Sequence, residues 1–152
     1  MKTKQFIKST LLSTAIASGF FYMAVSSGQE ETENKVEEKL KTQKPIIVSS
    51  IELYEVYQAN EVAGDEKYKD KVVQVSGNII DISKNPIDDD EIIVKLNGLV
   101  DNEYEIMGVA FYFDKAHSSE VAALNKGDQI TIKGLCKGNS IGVSVEGCSL
   151  VK

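Results

Sequence analysis

The chain has 152 residues, 42% of them hydrophobic, no tryptophan and a formal net charge of −6, and all 17 of its basic residues are lysine. Beyond the first 26 residues, which hold three lysines and no acid, 14 Lys face 23 Asp and Glu, a formal charge of −9. A field of that sign repels phosphate backbones and anionic headgroups, and without arginine the usual bidentate reader of phosphate and guanine is missing, so nucleic acid is not the expected partner.

The N-terminus reads as an export signal. Met1 to Lys8 is basic, and Ser9 to Val25 is uncharged and largely apolar. Ala24-Val25-Ser26 fits the small-x-small pattern of a signal peptidase site, so residues 1–26 are expected to be a cleaved signal peptide. The alternative is an uncleaved anchor, for which 17 uncharged residues sit at the short limit of a bilayer span. Either reading places the protein outside the cytoplasm, in the periplasm or cell envelope, with membrane contact only through residues 9–25 if they are retained. No cysteine lies near the cleavage site, so there is no lipobox. Residues 27–48 contain QEETENKVEEKLKTQK, dense in Glu and Lys. Val36 and Leu40 alone do not offset the entropy of ordering such a stretch, which is expected to be a charged flexible spacer. The folded domain is placed at residues 49–152, a comfortable size for one core.

Within it, Ser49 or Ser50 is the expected cap of a helix that carries Leu53, Val56, Tyr57, Asn60 and Ala63 at helical spacing and ends at Gly64. Lys71 to Ile82 is a first strand. Its inward parity runs through Val73, Val75 and Ile79 and then changes, which predicts a β-bulge beside Gly77-Asn78. Ile92, Val94 and Leu96 alternate in a second strand, and Met107, Val109, Phe111 and Phe113 in a third. Asp114 caps a short helix over Ala116 to Leu124. Ile130 and Ile132 mark a fourth strand, Val143 and Val145 a fifth. A helix followed by β-β-β-α-β-β is the connectivity of a five-stranded OB-fold, a Greek-key barrel.

Cys136 shares the inward parity of Ile130 and Ile132, whereas Cys148 has the opposite parity to Val143 and Val145. A bulge at Glu146-Gly147 turns Cys148 inward as well. In an oxidising compartment the pair is then expected to form a disulfide across the hairpin, worth roughly 3 kcal/mol. A redox role is less natural, since catalytic dithiols sit close together at a helix N-terminus.

With these pieces in place, the chain resembles the exported tRNA-anticodon-domain-like OB-fold proteins. The resemblance rests on LYEVYQANEVAGDEKYKDK, VVQVSGNIIDI, LNKGDQITIKGLCKG and VEGCSL, which together cover about Ile51 to Leu150. It implies the barrel fold and an envelope location, and it carries over no catalytic residue. Many relatives have a lipobox, which this chain lacks.

Three side-chain groups are candidates for a site. The run Asp88-Asp89-Asp90-Glu91 offers hard carboxylates to Ca²⁺, although it lacks the spacing and central glycine of an EF-hand loop; a solvated loop is the plainer reading. Tyr112, outward where Phe111 and Phe113 point in, and Tyr104 are candidate stacking surfaces for a ligand. His117 has no nucleophile motif near it and reads as a helix-end surface residue, and Asn60, beside Glu61, as a polar link between helix and barrel. The expected function is a non-enzymatic exported binding module for an envelope protein or a small polar ligand, without a cofactor. The alternatives are single-stranded nucleic-acid or oligosaccharide binding on the barrel face, and a Ca²⁺-dependent assembly module.

Overall fold

The stretches of alternating β-branched residues are strands in the computed structural model, which describes residues 31–100 and 108–152. In chain order the elements are α1 (residues 31–42), β1 (Ile46–Ser49), α2 (Ser50–Ala59), α3 (Glu61–Tyr68), β2 (Val72–Lys84), β3 (Glu91–Asn97) and β4 (Gly108–Asp114). A 3₁₀ turn (Lys115–His117), α4 (Ser118–Ala122), β5 (Gln129–Asn139) and β6 (Val143–Leu150) complete the chain. By contact the protein divides into Met1–Lys35 and Val36–Lys152. The described residues of the first unit, 31–35, are helical; the architecture that follows belongs to the second.

β2 serves both halves of a closed barrel. Its first half pairs antiparallel with β5 and its second half antiparallel with β3. β3 pairs with β4, β4 pairs parallel with β6 through Ala110↔Ser144 and Phe111↔Val145, and β6 returns to β5. The strand has to bend to do this. The register of β2 on β3 shifts between Ile79 and Asp81, leaving Ile80 as the extra residue. Ile79 and Ile82, three apart, therefore both turn to the core. The bulge that the sequence predicts beside Gly77-Asn78 lies two residues further on, at Ile80. Inside, Val75, Val94, Leu96, Val109, Phe111 and Phe113 are fully buried, each removing apolar surface from water at about 1.5–3 kcal/mol.

The helices refine the expectation. Ser49 caps α2, its hydroxyl accepting from the Glu52 amide at 3.1 Å. The helix then breaks at Asn60, whose side chain accepts from the Ala63 amide at 3.2 Å and starts α3. Asn60 is thus a cap and not the link to the barrel. That link is Ser50, buried, whose hydroxyl donates to Asn97 Oδ1 at 3.1 Å, while the same oxygen accepts from the Asn78 amide at 3.0 Å. Gly64 lies inside α3 instead of ending a helix. Asp114 caps the 3₁₀ turn as expected, accepting from the Ala116 amide at 2.7 Å.

The largest departure is upstream. Residues 27–48 are expected as a flexible spacer, yet 31–42 are helix, Ile46–Ser49 is a strand, and the second unit already begins at Val36. Val36 and Leu40 do not act alone: both side chains meet the bulge at Gly147 on β6. Lys133 Nζ donates to the Leu40 carbonyl at 2.9 Å, satisfying an end-of-helix acceptor, and the Val72 amide donates to Gln43 Oε1 at 3.3 Å. β1 then adds to β2 as a parallel strand from Ile46↔Val73 to Ser49↔Ser76. Among the described residues no helix is long and apolar enough to cross a membrane; the apolar segment 9–25 lies outside them.

Candidate binding groove

Because Val94 and Leu96 of β3 and Val109, Phe111 and Phe113 of β4 fill the barrel, their neighbours face out. The register sets Ile93 opposite Tyr112 and Lys95 opposite Ala110. These four side chains, with Gly108, belong to the lining of a groove of about 1020 Å³. Loop 85–90 contributes Asn85 to it, β3 contributes Glu91, and loop 140–142 contributes Ser140, Ile141 and Gly142. Tyr54 and Gln58 of α2 and Glu61 of α3 also line it.

Its charges are mixed and lean acidic. Lys137 and Glu146 pair at 3.6 Å across β5 and β6. Glu91 accepts from Asn85 Nδ2 at 2.7 Å, a neutral donor that leaves its charge uncompensated. Lys95 is partly engaged: burial pushes the Asp81 carboxyl up, but Lys126, Ser83 and Lys95 outweigh it and hold Asp81 below its ordinary value.

Tyr112 therefore stands in the groove, as its parity predicts, while Tyr104 lies outside the described residues. The acidic run does not assemble a cation site. Asp88 Oδ1 accepts from the Asp90 amide at 3.0 Å, Asp90 pairs with Lys115 at 2.6 Å, and Glu91 turns to Asn85. Asp88, Asp90 and Glu91 are thus engaged in a turn, an ion pair and an amide bond, and among the described residues no group of three His, Cys, Asp or Glu is placed to hold a metal. His117 sits edge-on to Phe113, ring centres 6.0 Å apart, with Glu120 at 3.2 Å, away from the groove.

The expected disulfide is not formed: Cys136 and Cys148 are both free and buried. The bulge that turns Cys148 inward is present, with Gly147 at φ 61°. The register explains the missing bridge. Cys136 faces Val145 across the hairpin, and Cys148 points its sulfur at the bare face of Gly134. Cys136 Sγ instead lies 3.7 Å from the Tyr57 hydroxyl, and Cys148 Sγ donates to the Val145 carbonyl at 3.3 Å. Burial pushes both thiols up, Cys148 strongly, so neither is a ready nucleophile.

Strand parity already marked Ile93 and Lys95 as outward. Nothing in the sequence marked Tyr54, Gln58 or Ile141 as sharing a groove with them, because that proximity exists only once the barrel closes.

A closed five-stranded barrel with a groove on the outer face of its second and third barrel strands, bordered by two hairpin loops, is an OB-fold. The tRNA_anti-like family model matches residues 1–150, and the chain belongs to that family. No curated protein matches it in sequence. Among solved structures it is similar to a lipoprotein from Klebsiella pneumoniae subsp. pneumoniae MGH 78578 whose name assigns it provisionally to nucleic-acid binding. The TM-score is 0.57 at 23% identity, over 76% of this chain and 97% of that one. Weaker similarity links it to OBody AM3L09 (TM-score 0.41, 18% identity, 57% of this chain and 86% of that one) and OBody AM1L10 (0.40, 20%, 57% and 84%), both solved bound to hen egg-white lysozyme.

Proposed function

We propose that the protein is an exported, non-enzymatic binding module that seats an envelope protein or a small polar ligand in the groove over Ile93, Lys95, Ala110 and Tyr112. The observation that carries this reading is the groove itself: a concave face on the barrel sheet, rimmed by two loops. The basic, then apolar, N-terminal segment supports export, and the lipoprotein of similar fold is in keeping with the envelope.

A second reading, binding of single-stranded nucleic acid or an oligosaccharide, draws on Tyr112 as a stacking surface and on the name of the Klebsiella protein. The carboxylates Glu61, Glu91 and Glu146 in the lining oppose its nucleic-acid form, because each phosphate would approach a like charge.

The test is amide chemical-shift mapping on the purified protein with fractionated envelope extract, oligothymidylate and a chito-oligosaccharide. The expected result is movement of Ile93, Ala110, Tyr112 and Gly142 with an envelope component, and at least a ten-fold loss of affinity, about 1.4 kcal/mol, in Tyr112→Ala. A ligand mapping wholly outside the groove overturns the reading, as does a hydrolytic or transferase activity abolished by one groove substitution.

A further inference from the structure

Of the three most exposed isoleucines among the described residues, Ile47 lies on β1 and two lie in loops beside the groove. Ile87 is 94% exposed and Ile141 104% exposed. They occupy loops 85–90 and 140–142, the two hairpin connections that border the groove, and Ile141 is part of its lining. Tight turns favour Gly, Asn, Asp and Ser, and a β-branched apolar residue gains nothing there from turn geometry. Neither side chain belongs to the core cluster or packs against it. A single exposed isoleucine is ordinary, but one in the lining and a second on the loop whose Asn85 also lines it offer an apolar occupant two holds.

The charges narrow the occupant further. Lys137 is paired with Glu146, and Lys95 shares its charge with Asp81. On the other side of the balance, Glu61, Glu91, Asp88 and Asp89 have no cationic partner within ion-pair distance among the described residues. The rim therefore favours a cation and rejects a polyanion. The floor sets the shape: Gly108 and Ala110 keep β4 low, so a backbone can lie close to the sheet, and outward side chains recur every second residue along β3 and β4 as they do along an extended chain.

We propose that the occupant is an extended polypeptide segment that carries lysine or arginine between apolar side chains, its apolar residues held by Ile87 and Ile141 and its cations by Glu61, Glu91 and the Asp88-Asp89 edge. This rests on the groove being the binding face. An uncharged oligosaccharide makes no use of either feature, and a nucleic acid meets the wrong charge.

The experiment uses the full chain and three probes: a short peptide alternating lysine and leucine, one of equal charge alternating lysine and serine, and oligothymidylate. Affinities are read by titration calorimetry at low and high salt, and sites by amide shifts. The lysine-leucine peptide is expected to shift Ile93, Ala110, Tyr112 and Gly142 and to bind at least ten-fold more tightly than the lysine-serine peptide. Ile87→Ser with Ile141→Ser should weaken it at least ten-fold, and Glu61→Gln with Glu91→Gln should flatten its salt dependence. All four positions are partly or fully exposed, so these variants keep the fold, which their unshifted core amides verify. Equal affinity for the two peptides, or affinity unchanged by the isoleucine pair, overturns the proposal. If oligothymidylate moves the groove amides and the lysine-leucine peptide does not, the groove remains a binding face and the polypeptide assignment falls. If no probe moves them and envelope extract moves none either, both fall.

Discussion

Tyr57 shows how one side chain ties the helical layer to the barrel. Its ring lies 6.4 Å from that of Tyr68, its hydroxyl is 3.7 Å from Cys136 Sγ on β5, and its face covers Gly64 of α3. A methyl added at Gly64 would stand 2.5–2.9 Å from three ring atoms. Two effects then compete. Alanine improves the helix by up to about 1 kcal/mol, whereas forcing a pinned aromatic ring aside costs about 1–3 kcal/mol. The ring is held on two sides and cannot retreat, so the steric effect wins. Gly64→Ala is expected to lower unfolding free energy by ~1–2 kcal/mol in urea titration. An unchanged or higher midpoint would mean that the ring moves freely.

At the scale of elements, α1 is the segment whose attachment is most easily broken. Its contacts include two half-buried apolar side chains on Gly147, the lysine cap of Leu40 and the Lys39–Asp70 ion pair at 3.9 Å, with the Gln43 bond to Val72 just beyond its end. Leu40→Ala should cost about 1–2 kcal/mol and, more tellingly, raise amide exchange through residues 36–42 while leaving Val94 and Phe111 protected. Loss of protection everywhere would make α1 part of the cooperative core. The same element shows why some of the molecule could be read from sequence and some could not. The strands announced themselves because half their side chains fill one interior, and Val94-Lys95-Leu96 or Val109-Ala110-Phe111 cannot be read otherwise. Tyr112 was found by the same parity. By contrast, the partners that fix Val36 and Leu40 are Gly147 and Lys133, more than ninety residues along the chain, and no local pattern in a Glu/Lys-rich stretch reports them. The cysteines fall between these cases. Parity located the bulge that turns Cys148 inward, but a second register shift, between Cys136 and Gly138, sets Cys136 opposite Val145, and no apolar pattern marks it. Ile141, the groove's apolar rim, sits in the hairpin turn, where periodicity says nothing.

For the whole molecule, burial of three weak acids sets a limit at alkaline pH. Burial pushes the thiols of Cys136 and Cys148 above their ordinary 9.0. Burial first, and then Cys136 and Asp65, push the Tyr57 phenol far above its ordinary 10.0. Well below pH 8 all three are protonated in folded and unfolded chains alike, and they impose no pH dependence. Above it the unfolded chain sheds thiol protons that the folded chain retains. The unfolded state then binds fewer protons, and stability falls as pH rises. A proton held only by the folded chain contributes a slope of at most about 1.4 kcal/mol per pH unit, so the two thiols together remove no more than about 2 kcal/mol between pH 9 and 10, with Tyr57 adding to the slope above that. Against a typical total of about 5–15 kcal/mol, this is a large share. Urea unfolding at pH 8, 9 and 10 measures it. In Cys136→Ala with Cys148→Ala the stability at pH 8 is lower, because the core loses two sulfurs, but the decline from pH 9 to 10 should be shallower than in the unaltered protein. A slope equal to that of the unaltered protein would show that these thiols ionise as readily in the folded chain as in the unfolded one, and so that the barrel does not hold them away from water.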